Sequence, residues 1–485
     1  MKNKEGHSSA KSGWNVRHWL KDKIKSARTI MELYHRIEQI LLELRPVFKR
    51  EATFEWFLLL LWGVLLTTQP PAVTSYLNAI GLSEGYYHQA LHWFHSQAFR
   101  VDELCVQWSR WVSQHACVVC LQGRRMYVGD GIKVGKEGRK MPGVKGLHQE
   151  SSNVSKPEWI RGHYFSALGI LMGLEEAVFA VPLALKLHDG IEAVSESEQA
   201  LSLVDKMAAL CITCMSPGSY VLLDAYYACA KVLQALRQKE LYLISRVRIS
   251  TVAFAQFCRC PGKQGRGRPR QWGSPIHFRD LFAPSKACQQ TQVWLYGQFI
   301  SVAYQEFRLV WDCPNTLVLF VLTQLPNGKQ MILLSSDTSL TGAQVVAAYC
   351  QRFKIELCFK TLIHLLGGFA YQFWLKGLPK TSQFPSNLRL ADHSLPQQNQ
   401  IQQKVEAFER FVNLHAIALG ILQILALELP HRVWQDFPRW FRTLPEHGYP
   451  SEQIVRLTLQ HQLPRILLKS SPTLLLSKLI ANRAP

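Results

Sequence analysis

Two short apolar stretches of this 485-residue chain each lead into an aspartate. Residues 125–134 read Arg-Met-Tyr-Val-Gly-Asp-Gly-Ile-Lys-Val and contain Asp130, and residues 220–224 read Tyr-Val-Leu-Leu-Asp and end at Asp224. Apolar stretches with such aromatic and β-branched residues are typical of strands. A carboxylate buried among apolar residues is costly unless a cation or hydrogen bonds compensate it. The fold must therefore bring partners to both acids.

Strands and helices alternate around these acids. Further strands are predicted at residues 163–172, 177–187 and 241–249, and helices at residues 196–209 and 225–237. Three strands and a helix, followed by strand, helix and strand, predict an α/β sheet. A β-rich region at residues 292–334 is inserted between Asp224 and the next predicted helix.

That next helix is predicted over residues 341–363. Thr341 and Gln344 have the spacing of a capping box, and two glycines follow the predicted end. One face is formed by residues that recur at steps of three, four and four: Tyr349, Arg352, Glu356 and Lys360. An ordinary amphipathic helix with i,i+4 ion pairs has the same pattern. The two aspartates upstream are what favour a functional role.

The two ends of the chain read as helical. Residues 73–80 and 86–94 are predicted as short helices about a tight glycine turn, which resembles a helix-turn-helix. Simple helical hairpins share that pattern, so DNA binding and plain packing both stay open. Towards the other end, residues 384–403 are polar and are predicted to be a linker. A long apolar-faced helix is predicted over residues 405–429.

The chain is strongly basic, with 55 Lys and Arg against 35 Asp and Glu and a formal net charge of +20. Such an excess indicates a polyanionic partner, either nucleic acid or an anionic membrane surface. Residues 57–66 are apolar but too short to span a bilayer. Residues 412–429 are longer and contain polar side chains, which indicates a buried amphipathic helix. No membrane span is therefore predicted and no membrane partner is expected, although the charge and the short apolar helices leave a peripheral membrane protein as an alternative.

The remaining composition favours the cytoplasm. The lysine-rich residues 1–26 lack the apolar core of a secretory signal. Twelve cysteines in such a chain suggest a reducing compartment. Two Cys-x-x-Cys pairs, Cys117 with Cys120 and Cys211 with Cys214, raise the alternative of a zinc site. Their apolar surroundings and wide separation favour buried free thiols.

Asp130, Asp224 and Glu356 together suggest a metal site. Hard carboxylate oxygens suit Mg²⁺ or Mn²⁺, and two such ions stabilise the attacking and leaving oxygens of a phosphoryl transfer. Paired carboxylates are also typical of glycosidases. A neutral sugar needs no cationic surface, however, and the net charge of +20 argues against that alternative.

The order of strands, helices and acids resembles a ribonuclease-H-type fold. The sequence Tyr349-x2-Arg352-x3-Glu356 resembles the Tyr-x2-Arg-x3-Glu-x6-Lys box of bacterial insertion-sequence transposases of the DDE class. The resemblance covers roughly residues 50–370. It implies that Asp130, Asp224 and Glu356 bind the catalytic metals and that Tyr349 and Arg352 contact DNA phosphate. It also implies duplex DNA with terminal inverted repeats as the partner, and self-association on that DNA.

One position departs from the pattern of that family. Ile363 stands where the box has its lysine, and Lys360 and His364 are the neighbouring polar residues that could substitute. Two functions therefore remain open: an active DNA transposase, or a catalytically inactive DNA-binding protein derived from one.

Two basic segments are further candidates for DNA contact. Arg266-Gly-Arg268-Pro-Arg resembles a minor-groove hook, because an extended arginine pair fits a narrow A·T-rich groove. The alternative is a flexible basic loop. Lys133 begins a run of cations after Asp130 that could hold phosphates or simply form a solvated face.

The resemblance divides the chain into three regions. We expect a helical N-terminal DNA-binding region at residues 1–120 and a ribonuclease-H-like catalytic domain at residues 121–370. Residues 250–340 form the β-rich insertion of that domain. A helical C-terminal region is expected at residues 371–485.

Overall fold

The computed structural model of the protein describes residues 31–149, 157–174, 177–192, 201–256, 272–281, 288–295, 298–311, 316–438, 448–468 and 474–483. The predicted hook with Arg266 and Arg268 lies outside these described residues. The helices are α1 (31–42), α2 (Glu51–Leu66), α3 (Val73–Ala79), α4 (Tyr87–His95), α5 (Val101–Ser113), α6 (Leu203–Cys214), α7 (Ala230–Arg237), α8 (Gly342–Cys350), α9 (Lys354–His364), α10 (Leu395–Glu428), α11 (Pro430–Asp436), α12 (Glu452–Leu468) and α13 (Leu475–Ala481).

The strands follow the predicted alternation closely. They are β1 (Cys120–Leu121), β2 (Arg124–Gly135), β3 (Lys145–His148), β4 (Trp159–Leu174), β5 (Ala177–Leu187), β6 (Ile191–Glu192), β7 (Tyr220–Leu222), β8 (Tyr242–Val247), β9 (Val252–Phe254), β10 (Pro275–His277), β11 (Gln289–Leu295), β12 (Gln298–Val310), β13 (Leu317–Gln324), β14 (Gln330–Ser335) and β15 (Leu388–Arg389). Both predicted helices of the alternation, α6 and α7, begin later than expected. A 3-10 turn at Ala225–Tyr227 precedes α7.

Five strands form the centre of the sheet, in the spatial order β5, β4, β2, β7, β8. The pairs β4–β5 and β2–β4 are antiparallel, and the pairs β2–β7 and β7–β8 are parallel. Of these five strands, β2 comes first in the chain and lies in the middle. Only β4 runs opposite to the other four. This is the predicted ribonuclease-H-like mixed sheet, so the α/β fold class is confirmed.

The β-rich insertion extends this central sheet. Residues Ile332 to Ser335 of β14 pair antiparallel with Ile244 to Val247 of β8, and β13 and β12 follow outward. Among the described residues the whole forms one 13-stranded sheet. The insertion is therefore held to the central sheet by backbone pairing along four residues of each strand.

Helix α10 is the centre of the helical part of the protein. Every residue from Ala407 to Leu427 is buried. The predicted burial is confirmed, but this part of α10 has no solvent face and is not amphipathic. The prediction of a linker at residues 384–403 was also wrong in part, because α10 begins at Leu395. Ser394 starts it with a capping box, its backbone N–H donating to Gln397 Oε1 at 3.2 Å.

The length and apolar composition of α10 would suffice to cross a membrane, and among the described residues it alone has this property. The rest of the protein buries 94% of its most apolar stretch. Polar contacts also fix α10 in the protein, such as the 2.8 Å hydrogen bond between Tyr76 Oη and His415 Nε2. The burial is that of a core helix.

The two predicted short helices are present as α3 and α4, with Gly81 at a φ of +73° in the turn between them. Both helices bury apolar side chains, including Tyr76 and Phe94, in the hydrophobic core around α10. Glycine suits this turn because a positive φ strains other residues. DNA binding by this pair, and the division of the chain near residues 120 and 370, stay predictions.

Candidate active site

Asp130 and Asp224 stand side by side because β2 and β7 run parallel. Val128 of β2 is the register partner of Leu222 of β7. Each aspartate follows its register residue by two positions, and Asp224 keeps an extended backbone with φ −74° and ψ 167°. Side chains two residues apart on a strand point to the same face. Both carboxylates therefore lie at one level on one face of the sheet.

The backbone next to Asp130 is fixed by a glycine. Gly131 N–H donates to Asp130 Oδ1 at 2.8 Å. A Cβ added at Gly131 would lie 1.9 Å from the hydroxyl oxygen of Tyr164, so no larger residue fits without displacing that ring. Tyr164 is held in turn by a 3.0 Å hydrogen bond to the hydroxyl of Tyr227.

Arg246 is a third charged residue at the same level, which the sequence analysis did not identify. Ile244 of β8 is the register partner of Leu222, so Arg246 also follows the aligned residue by two. Its Nη2 lies 3.9 Å from Asp224 Oδ1, close enough for an ion pair but too long for a hydrogen bond. The neighbouring Ser245 Oγ donates to the carbonyl oxygen of Asp224 at 3.1 Å.

The helix predicted over residues 341–363 is interrupted, which corrects the sequence analysis. Helix α8 ends at Cys350, residues Gln351–Phe353 form a 3-10 turn, and α9 begins at Lys354. The capping box at Thr341 is confirmed. The interruption coincides with Arg352, which bonds to the sheet, and a 3-10 turn inside a helix often accompanies such a functional contact.

Arg352 joins two of the three candidate acids. Its Nη1 donates to Asp130 Oδ2 at 2.8 Å and its Nη2 donates to Glu356 Oε1 at 2.5 Å. The side chains of Arg352 and Asp130 are 16% and 22% exposed, whereas that of Glu356 is 57% exposed. One guanidinium group thus connects the buried sheet acid to the open helix acid.

The charges of this cluster act on one another. Burial raises the pKa of the Asp130 carboxyl, and Asp224 adds to the rise, while Arg352 opposes it. Burial lowers the pKa of Arg352, but the nearby acids outweigh burial and the net direction is upward. Burial raises the pKa of Tyr349 to about 12. At neutral pH, Arg352 is therefore charged and the Tyr349 hydroxyl remains a hydrogen-bond donor.

Two other predicted DNA-contacting residues lie apart from this cluster. Lys133 is three residues along β2 from Asp130, so the pleat directs it to the opposite face, and its Nζ donates to the carbonyl oxygen of His148 at 2.6 Å. Lys360 is exposed on α9 and lines a separate cavity. DNA contact by Lys133 and Lys360 stays a prediction.

The donor chemistry of the cluster suits a hard divalent cation. Asp130, Asp224 and Glu356 offer only carboxylate oxygens, and their three negative charges face the two positive charges of Arg352 and Arg246. Within the described parts of the chain, no three His, Cys, Asp or Glu side chains are grouped closely enough to hold a metal together. Arg352 stands between Asp130 and Glu356 in this arrangement and supplies the positive charge there.

A family model described as a DDE superfamily endonuclease matches residues 43–295, more than half of the chain. The chain belongs to the DDE superfamily of endonucleases. The matched segment of this DDE endonuclease includes Asp130 and Asp224 and ends before Glu356. Glu356 is therefore connected to the site by its bond to Arg352, independently of the family match.

No curated protein matches the chain at a significant level. Among solved structures, a cryo-EM structure of the piggyBac transposase synaptic complex with hairpin DNA aligns with 90% of this chain and 77% of that chain, at 12% identity and a TM-score of 0.33. A likeness this distant carries no inference about function.

Proposed function

We propose that this DDE endonuclease is a DNA transposase that cleaves and joins DNA strands at the ends of a mobile element. The observation that carries the proposal is the parallel register that sets Asp130 beside Asp224, with Arg352 connecting Asp130 to Glu356. Asp130 and Asp224 thereby share one face of the sheet, and Glu356 is connected to Asp130 through Arg352. The net charge of +20 suits a nucleic-acid substrate.

Asp130, Asp224 and Glu356 are the residues that would hold Mg²⁺ or Mn²⁺. Such an ion, when bound, supplies positive charge to the attacking and leaving oxygens of a phosphoryl transfer. The acids themselves bind no phosphate, since like charges repel. Their role would be to supply carboxylate oxygens to the ion: Gly131 N–H holds the carboxylate of Asp130, and Ser245 Oγ holds the backbone carbonyl of Asp224.

The cations around the acids would position the DNA. Arg352 offers a planar group suited to paired phosphate oxygens, and Tyr349 offers a hydroxyl donor beside it. Arg246 lies level with the acids on the next strand and would hold the neighbouring stretch of backbone. Lys360 and Lys133 are proposed as more distant phosphate contacts.

The finer features of the resemblance also belong to this proposal. The substrate would be duplex DNA at terminal inverted repeats of a bacterial insertion sequence, with the protein self-associating on it in the cytoplasm. Residues 1–120 would contribute DNA binding, residues 121–370 the chemistry, and residues 371–485 a helical support. Arg266 and Arg268 would enter a minor groove.

A second candidate function is a DNA-binding protein without catalysis. Two observations favour it: Arg352 occupies the space between Asp130 and Glu356, and Ile363 stands where the resembled box has a lysine. Such a protein would bind the same DNA ends and leave them intact.

Both candidates are tested by one reaction. The genomic DNA that flanks the gene is scanned for inverted repeats, and duplexes that contain them are incubated with the protein in Mg²⁺, in Mn²⁺ or in chelator. The transposase proposal predicts strand breaks at the repeat ends only with a divalent ion. Tight binding of these duplexes without breaks in either ion would favour the inactive protein.

A further inference from the structure

Lys136 follows the last residue of β2 and lies on the same face of the sheet as Asp130. Its backbone N–H donates to the carbonyl oxygen of Arg161 of β4 at 2.9 Å, so the strand pattern continues to this residue. Lys136 is six residues from Asp130, and residues at even separations along a strand share a face. In the sequence it is one of a run of cations after Asp130. In the structure it has specific partners.

The side chain of Lys136 holds the chain that leaves α9. Its Nζ donates to the carbonyl oxygens of Phe369 and Tyr371, at 3.1 Å for Tyr371. The same atom lies 3.6 Å from the centroid of the Tyr371 ring, which is a favourable distance for a cation–π contact. Two of the three N–H donors of the ammonium group are therefore used within the protein.

Burying this ammonium group costs free energy that no acid offsets. In the described part of the chain no ion pair joins Lys136 to a carboxylate, and burial lowers the pKa of Lys136 to about 7. A buried polar group is tolerated where hydrogen bonds compensate it. For Lys136 the compensation comes from the two carbonyl oxygens and the ring, so the position of this side chain depends on the segment that it holds.

A glycine turn directs the chain from α9 back to the sheet. Gly368 N–H donates to the carbonyl oxygen of Leu362 at 2.8 Å, which closes the end of the helix. Phe369 then packs on Phe165 of β4, with ring centroids 5.4 Å apart. Residues 369–371, called the return segment below, therefore connect the last turn of α9 directly to the sheet.

Strand β2 thus holds α9 at both ends. Before the helix Asp130 binds Arg352, and after it Lys136 binds the return segment. Six residues of a strand span about 20 Å, and the eleven residues of α9 span about 16 Å. The helix can therefore lie along β2 between the two ties, and α9 does contact β2. Glu356 lies in the first turn of this doubly held helix.

We propose that Lys136 is a positioning residue for the candidate active site. By holding the return segment it fixes the far end of α9, and with it the placement of Glu356 relative to Asp130. The inference rests on Glu356 and Asp130 forming a cation site, as proposed above. The placement of α9 needs neither a cation nor DNA, so failure of the proposed function and failure of this inference can be told apart.

Hydrogen exchange of the α9 amides in the free protein tests the tie alone. Lys136→Met keeps most of the side-chain length and removes the donors, so these amides should exchange about tenfold faster. Lys136→Arg restores donors and should return the exchange towards the natural rate. Lys140→Met is the matched control, because Lys140 also donates to a backbone carbonyl oxygen, that of Lys376, which lies beyond the return segment. Unchanged exchange in Lys136→Met, or equal acceleration in Lys140→Met, would overturn the proposal.

Binding of Mn²⁺ to the full chain, followed by electron paramagnetic resonance, separates positioning from stability. Lys136→Met should weaken Mn²⁺ binding about tenfold, the usual effect of removing a residue that orients metal ligands. Lys136→Arg should restore it, and the affinity for duplex DNA should stay unchanged in both variants. If Lys136→Met lowers the free energy of unfolding and leaves Mn²⁺ affinity at the natural value, Lys136 only stabilises the fold and the proposal is wrong.

The exchange result stays decisive if the natural chain binds no Mn²⁺. That outcome would remove the cation site of the proposed function. The exchange rates of Lys136→Met and Lys140→Met would still decide whether Lys136 fixes the placement of α9.

Discussion

Arg352 Nη1 donates to Asp130 Oδ2 at 2.8 Å, and this bond joins residues 222 positions apart in the chain. The same guanidinium reaches Glu356, so the helix acid and the sheet acid share one cation. The side chains of Arg352 and Asp130 are both largely buried. In that setting a charge-assisted hydrogen bond is stronger than on the surface, and it orients α9 against the sheet.

Replacing Arg352 with alanine should shift the pH dependence of cleavage. Arg352 lowers the pKa of Asp130 against the effect of burial, so its removal raises that pKa further. Asp130 must be ionised to hold a cation, and the acidic limb of the rate profile should therefore move to higher pH. End binding should weaken about tenfold, with some cleavage surviving at high protein concentration. Replacement of the exposed Arg110 with alanine serves as the control. If the acidic limb does not move in the Arg352 variant, Arg352 does not lower the pKa of Asp130.

Replacing both Arg266 and Arg268 with alanine should flatten the salt dependence of DNA binding. Each cation that leaves a phosphate lowers the slope of log K against log salt by about one, so a decrease of about two is expected. If the pair lies in a minor groove, A·T-rich DNA should lose most affinity. Fluorescence anisotropy across salt concentrations measures both effects. An unchanged slope and an unchanged base preference would show that Arg266 and Arg268 do not contact DNA.

The sequence indicated where Asp130 and Asp224 lie relative to the strands but not which residues surround them. Both could be located because Asp130 lies within the apolar strand β2 and Asp224 follows the apolar strand β7 by two residues. Arg246 was missed because a polar residue near the end of a strand is ordinary. Only the register of β7 and β8 shows that Arg246 stands level with Asp224. Register depends on contacts between strands distant in sequence, and periodicity does not contain that information.

Two predictions about helices were wrong for related reasons. The break at Gln351–Phe353 occurs among residues that all tolerate a helix, because a tertiary bond from Arg352 overrides local preference. The prediction of a linker at residues 384–403 missed the start of α10, although Ser394 and Gln397 have capping-box spacing. Its polar composition suggested a loop, whereas the first turns of α10 are helical and largely solvent-exposed.

Glu428→Gln should destabilise the protein at neutral pH and much less near pH 2. Burial alone would raise the pKa of Glu428, but hydrogen bonds from Arg36 and His115 lower it to about 2 from an ordinary 4.5. The stabilisation is therefore present above pH 4.5 and lost as the pH falls towards 2. A shift of that size corresponds to about 3 kcal/mol. Urea unfolding at several pH values measures it.

The control for Glu428 is Glu51→Gln, since Glu51 pairs with Arg45 on the surface. Exposed pairs of this kind contribute about 0–1 kcal/mol. Equal losses for Glu428→Gln at pH 7 and pH 2 would contradict the linkage between the pKa of Glu428 and folding.

Arg456→Met should lower the free energy of unfolding by about 2–4 kcal/mol, because it leaves buried carbonyl oxygens without donors. Arg456 of α12 donates to the carbonyl oxygens of Val64, Leu65 and Thr67 at the end of α2, and to that of Leu365 beyond α9. Methionine keeps much of the side-chain volume. Arg432→Ala, which breaks a more exposed pair with Glu32, should cost far less. Equal losses in the two variants would show that Arg456 does not fix these helix ends.

The rate of Mg²⁺-dependent cleavage by Glu356→Gln tests the three-acid site most directly. Glutamine keeps the size of the side chain and removes the charge that a hard cation requires. The variant should bind repeat-end DNA with nearly unchanged affinity, because an acid repels phosphate. Its cleavage should fall by at least a hundredfold. Cleavage at the rate of the natural chain would contradict the assignment of Asp130, Asp224 and Glu356 as one active site.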